Sequence, residues 1–157
     1  MQLDPKELHL GQADMDGDHA ALAALLEKAN LICPCSLGDC NCTKCPAERV
    51  HNCGAEMTAF AEQLLAVLIK HFSDEEALMD SLPKTREIDA RCSKHRADHA
   101  SFSAKYNKIA LTLDTRDVVD SIGKLESFVV TWVREHILKF DAELASLIKL
   151  AAASKRI

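Results

Sequence analysis

Apolar positions recur at three- and four-residue spacing through four stretches of this chain, the period of an amphipathic helix. The first opens near Asp16, where Asp16 or Asp18 can cap it, and carries His19, Leu22, Leu25 and Leu26 inward before ending close to Asn30. The second, from about Ala55 to Ser81, lines up Phe60, Leu64, Val67, Leu68, His71, Glu75 and Leu78, with Pro83 just past its end. A third runs from about Ile88 to Thr112 and turns Cys92, His95, His99, Phe102, Tyr106 and Ile109 inward. The fourth opens near Asp117 and carries Ile122, Leu125, Val129, Trp132, Val133 and His136. Residues 1–15 lack periodicity and are expected to wrap onto the body. Residues 31–53 are rich in helix breakers and read as an insert. There is no internal repeat and no strand signal. The expectation is an all-α fold, an antiparallel up-and-down four-helix bundle with a cysteine-rich insert between the first and second helices. At 157 residues it is expected to form a single domain spanning 1–157, with 31–53 as the insert.

Composition narrows the class. Apolar residues make up 48% and charged residues 27%, which excludes a disordered chain. The formal charge is −5 and no basic block stands ready to neutralise phosphates, so no nucleic-acid partner is expected. The longest apolar run, Leu64 to Ile69, is too short for a membrane span, and the N-terminus shows no export signal. A cytoplasmic protein with no membrane partner is the expectation.

The chemistry lies in polar residues placed on the apolar stripes. Residues four apart on a helix are separated by about 40° in projection, so their side chains can converge on one ion. His71 with Glu75 on the second helix and His95 with His99 on the third are such pairs; His136 and Asp141 follow on the fourth, and His19 stands on the first. Each pair alone is close to what chance supplies. Together they aim five imidazoles and two carboxylates at one interior, and burying so many polar groups without partners would cost several kcal/mol each, by the roughly 2–7 kcal/mol transfer scale. A metal resolves this. Seven donors exceed the needs of one ion but suit two that share carboxylates, and nitrogen and oxygen donors without thiolate favour iron or manganese. His136 and Asp141 are five apart, about 140° around an ideal helix, so a distortion is expected near Leu138 to Phe140.

Four segments carry a family resemblance: Met15-Asp-Gly-Asp-His19, His71-Phe-Ser-Asp-Glu75-Glu-Ala-Leu-Met79, His95-Arg-Ala-Asp-His99, and Trp132-Val-Arg-Glu-His136-Ile-Leu-Lys-Phe-Asp141. In these the chain resembles hemerythrin, in particular the bacterial hemerythrin-like domains. The resemblance covers nearly everything except the N-terminal dozen residues and the insert. It implies two iron ions joined by an oxo or hydroxo bridge. His95, His99 and His136 would hold one, His19 and His71 the other, and Glu75 and Asp141 would bridge them. Dioxygen would bind reversibly at the ion with fewer histidines, for carriage, storage or sensing, without enzymatic turnover. Trp132 and Leu138 match positions that line the oxygen pocket in the family, although core packing explains either equally well. The family often has Tyr three residues after the Asp; Leu144 stands here. Two alternative functions are a redox or nitric-oxide sensor coupling the iron site to the insert, and a peroxide-consuming or iron-donating enzyme.

Six of the seven cysteines, Cys33, Cys35, Cys40, Cys42, Cys45 and Cys53, fall within the insert, with His51 nearby. Three readings stand side by side: a structural zinc site, disulfides or a thiol redox switch, and unliganded thiols. The insert could also engage a protein partner. Cys92 reads as a core thiol. The four-helix core looks self-sufficient, which implies a monomer.

Overall fold

All four periodic stretches form helices in the computed structural model, which describes residues 8–33 and 42–154; no strand occurs among them. The elements are α1 (Ala13–Ile32), a 3-10 turn (Cys42–Lys44), α2 (Ala47–Ser81), α3 (Arg86–Ala110), α4 (Val118–His136), a π-helical segment (Ile137–Asp141) and α5 (Ala142–Ser154). They pack as a helical bundle in which α2 touches α1, α3 and α4. Among the described residues no helix is long and apolar enough to cross a membrane.

Local chemistry explains most boundaries. Thr85 caps α3 by accepting a hydrogen bond from the backbone of Ile88 at 3.2 Å, and Asp117 caps α4 through Asp120 at 3.4 Å. At α1 the expectation fails. The helix begins three residues early, at Ala13, and neither Asp16 nor Asp18 caps it. Asp16 lies in the first turn and reaches back to accept from the backbone N–H groups of Leu10 (2.6 Å) and Gly11 (3.0 Å), pinning the preceding segment. Asp18 instead accepts from Lys70 on α2 at 2.8 Å.

Part of the stretch 31–53, expected as an insert, is helical. Helix α1 continues to Ile32, and α2 begins at Ala47, directly after Pro46, so residues 47–53 are helical. Pro46 has a fixed φ of −57° and opens a run, Ala47 to Asn52, that contains no breaker. Gly54 continues the helix because the α3–α4 connection crosses there: a Cβ at this position would stand 2.7 Å from the carbonyl oxygen of Thr115. Cys35 and Cys40 lie outside the described residues.

The interior has three layers. A large apolar cluster, with Leu22, Leu64, Leu68, Phe102, Leu125 and Val129 fully or almost fully buried, fills the end nearer the insert. Each large apolar side chain there stabilises the fold by roughly 1.5–3 kcal/mol. Tyr106 belongs to this cluster and donates its hydroxyl to the Ala61 carbonyl at 2.6 Å. A smaller cluster of Met15, Met79, Leu82, Cys92 and Leu144 closes the other end. Along every helix the inward histidines and carboxylates fall between residues of these two clusters, so the polar groups form a slab sealed from both sides.

Candidate metal centre

The seven predicted ligands are all buried: His19, His71, Glu75, His95, His99, His136 and Asp141 are each no more than 3% exposed. On α2 and α3 the four-residue spacing does this within regular helix. Asp141 needs the π segment. The Ala142 N–H donates to the Ile137 carbonyl, five residues back, and this wider turn brings Asp141 onto the face that carries His136. The distortion expected from the five-residue spacing is thus observed at Ile137–Asp141. The same turn sends Leu138 outward: it is 57% exposed, whereas Ile137 is 2% exposed. The expectation that Leu138 lines the interior is corrected; Ile137 is the aliphatic residue that faces in.

The donors fall into two groups within which all ligand atoms lie within 4.8 Å of one another: Glu75 with His95, His99 and His136, and Glu75 with His19, His71 and Asp141. Glu75 is common to both. Its Oε2 lies 3.1 Å from His99 Nε2, 3.4 Å from His95 Nε2 and 3.5 Å from His71 Nε2. Asp141 spans the groups with its two oxygens: Oδ1 is 2.9 Å from His136 Nε2 and 3.2 Å from His95 Nε2, and Oδ2 is 3.1 Å from His19 Nε2.

The outer nitrogens decide what the inner ones can do. His19 Nδ1 donates to the Leu8 carbonyl at 2.8 Å, His99 Nδ1 to Glu76 at 3.1 Å and His136 Nδ1 to Asp98 at 2.8 Å. With the proton held at Nδ1, a neutral ring turns a lone pair inward at Nε2. Yet His136 Nε2 lies 3.0 Å from His95 Nε2 and 3.2 Å from His99 Nε2. Lone pairs cannot face each other so closely without positive charge between them. Glu75 Oε1 is also buried without a hydrogen-bond partner, and Asp141 Oδ1 has only the inner nitrogens of His136 and His95 beside it. A cation satisfies all of these atoms together, so the donor set fits a metal centre.

The protonation equilibria say the same. Burial pushes the Glu75 carboxyl up, but bonds to His136, His95 and His99 overcome it and hold it at about 2. Burial likewise opposes the ionised form of Asp141, and bonds to His136, His19, His71 and His95 hold it well below the usual carboxylate range. Burial alone would lower His136; Asp141, Asp98 and Glu75 instead raise it to about 10. The slab is built around negative charge that demands positive charge.

Aromatic rings wall the cluster. Trp132 stacks on His136 with centroids 4.2 Å apart, Phe72 on His99 at 4.1 Å and Phe140 on His95 at 5.3 Å. Trp132 thus packs against His136, and its indole also bonds Asp98. Phe72, Phe140, Asp98, Glu76 and the Leu8 carbonyl had not been singled out from the sequence. Asp98 and Glu76 each directly neighbour a ligand in sequence, the one signal that could have drawn attention to them. Leu144, in place of the tyrosine common in the family, is 2% exposed and packs in the smaller apolar cluster.

None of the described cysteines belongs to either donor group. Cys33, Cys42 and Cys53 are buried, Cys45 is half-buried, and no disulfide joins any two of the described cysteines. Nor do any three of the described sulfurs gather at metal-binding separation. Cys92 is a core thiol beside Met15 and Met79, and burial pushes its pKa up.

Comparison with known proteins agrees with the geometry. Residues 10–148 match the model of the hemerythrin HHE cation binding domain. A 73-residue stretch is 33% identical to a bacteriohemerythrin of Clostridium acetobutylicum, covering 46% of this chain and 53% of the relative, so the chain spans about half of that protein's length. No solved structure matches the chain. With the domain match spanning most of the sequence and a buried histidine and carboxylate cluster on the helices it covers, the chain belongs to the hemerythrin family.

Proposed function

We propose that this chain is a non-haem di-iron protein that binds dioxygen reversibly, in carriage, storage or sensing. The carrying observation is the pair of four-donor groups that share Glu75, with Asp141 offering one oxygen to each side. In this reading His95, His99 and His136 would hold one iron and His19 and His71 the other, with Glu75 and Asp141 serving both, and the gas would bind on the side with two histidines. An iron pair supplies, when bound, the two electrons that dioxygen takes up and returns.

The protein's own part is orientation and exclusion. Leu8, Glu76 and Asp98 hold three imidazoles in one tautomer, which fixes where their lone pairs point. Phe72, Trp132, Phe140 and Ile137 keep water away from the inner face, and this apolar enclosure favours binding over turnover. His71 differs from the other ligands. Its Nδ1 is buried with no hydrogen-bond partner, and the nearest carboxylate, Asp18, is 3.9 Å away. This ring lies on the two-histidine side.

The test is metal analysis followed by oxygen titration of the anaerobically reduced protein. Two irons per chain, with an optical change on oxygen addition that reverses on its removal, is the expected result. A fully loaded, reduced protein that does not bind oxygen would sink the reading; iron well below one per chain after growth in ample iron would sink the di-iron assignment itself.

A further inference from the structure

The end of the molecule remote from the ligand slab carries chemistry of its own. Cys33 is the residue that ends α1, in extended backbone at φ −126° and ψ 107°. Cys53 lies in the second turn of α2. Their thiols hydrogen-bond to each other across the junction of the two helices, and both side chains are buried, at 2% and 9% exposure. Two buried sulfurs in mutual contact, on elements twenty residues apart in sequence, are placed to be joined. One side of the pair is open: a cavity of about 460 Å³ between the end of α1 and the start of α2 is lined by Ile32, Pro46, Arg49, Asn52 and Cys53. It admits a small oxidant to Cys53, while Cys33 stays covered.

We propose that Cys33 and Cys53 are a modification site, a dithiol that a small hydroperoxide converts to a disulfide tying the end of α1 to the start of α2. Cys53 attacks the peroxide O–O bond, forming a sulfenic acid and releasing water with the thiol proton. Cys33 then attacks the sulfenic sulfur, forming the S–S bond and releasing a second water. Two thiols and one hydrogen peroxide give one disulfide and two waters: the sulfurs lose two electrons and the peroxide gains them. Burial, then the neighbouring Cys33, pushes the Cys53 thiol up, so the reaction is slow at neutral pH and the pair persists as thiols at low peroxide. Along α2, Cys53 stands 18 residues from His71, about 27 Å by helical rise. The exchange is therefore independent of the ligand slab and does not rest on the di-iron reading.

The experiment treats the full-length protein, as purified, with hydrogen peroxide, blocks remaining thiols with an alkylating agent, and maps linked peptides without reduction. A Cys33–Cys53 linkage is expected, reversed by dithiothreitol. Closing a loop of this length should raise the melting temperature by about 6–12 °C. The rise should vanish in C33S and in C53S, and persist when Cys35, Cys40, Cys42, Cys45 and Cys92 are all replaced by Ser. Linkage of other cysteines while Cys33 and Cys53 remain alkylated would overturn the proposal. So would a thiol-bound zinc ion lost in C33S or C53S, because the pair would then be part of a metal site. Should the single variants fold poorly by circular dichroism, the five-Ser variant decides alone: no linkage in it refutes the pairing.

Discussion

The two ends of α2 bury reactive side chains by opposite means. Near its C-terminal end, His71 and Glu75 join a slab where every imidazole is surrounded by charge and most outer nitrogens have a fixed acceptor. Near its N-terminal end, Cys53 belongs to the large apolar cluster and Gly54 lies against the Thr115 backbone, while Tyr106 in the same cluster is satisfied by the Ala61 carbonyl alone. The first arrangement is held together by what it binds, the second by what it excludes. Losing one member should therefore propagate in the slab and stay local in the apolar end.

Asp141 offers the sharpest break. Asp141→Ala leaves His136, His95 and His19 facing one another without their carboxylate, and removing one partner of a buried charged set costs about 3–5 kcal/mol. Denaturant unfolding together with metal analysis should show both that loss and release of the metal; retention of a full metal complement would contradict the shared role of Asp141.

Phe102→Ala in the apolar cluster should cost a similar amount, about 3–5 kcal/mol, by leaving a cavity. Here the metal content per folded chain is expected to stay unchanged, since the ring contacts of Phe102 are with Phe72, Tyr106, Phe128 and Trp132 and not with a candidate ligand. If metal fell in step with stability, the two ends would be one cooperative unit rather than two.

A milder probe is Asp98→Ala, which frees His136 Nδ1 and the Trp132 indole without removing a ligand. Metal affinity should drop about 10- to 100-fold in a competition titration with a chelator, while helix content stays the same. An affinity equal to that of the unaltered chain would mean the stacked Trp132 ring alone orients His136.

The smallest effect concerns Tyr106, the single tyrosine of the chain. Burial pushes its phenol up to about 12. The fold thus favours the neutral phenol, and the unfolded chain ionises near 10, so stability should fall as pH rises from about 10 towards 12. Ultraviolet titration of the phenolate should show a midpoint well above 10 in the folded protein and a normal one in denaturant. Tyr106→Phe should remove this shift at a cost of about 1 kcal/mol.

These cases also show why parts of the molecule could be read early. The His-x-x-x-Glu and His-x-x-x-His pairs are local: four residues is one turn, so their convergence follows from helix geometry before any tertiary contact exists. Even the π segment was foreshadowed, because a ligand five residues after His136 cannot share its face in a regular helix. The start of α2 was not legible. The pair Cys53-Gly54, coming after the cysteines at 40, 42 and 45, looks like loop composition, and only the crossing of Thr115 over Gly54 shows why that glycine belongs in a helix. Leu138 misled for a related reason. Which side of a widened turn faces solvent is set by the packing of Ile137 and Asp141, not by position alone.

The order of the seven candidate ligands, the helices that carry them and a chemistry that suits a cation are properties of the sequence, since spacing and residue type fix both the facing side chains and their chemistry. The tertiary structure alone decided which nitrogen of His19, His99 and His136 points inward. That choice belongs to Leu8, Glu76 and Asp98, acceptors on neighbouring elements 11, 23 and 38 residues from the rings they hold. It likewise decided that Cys33 and Cys53 meet, because a contact between two helices exists only once both are packed.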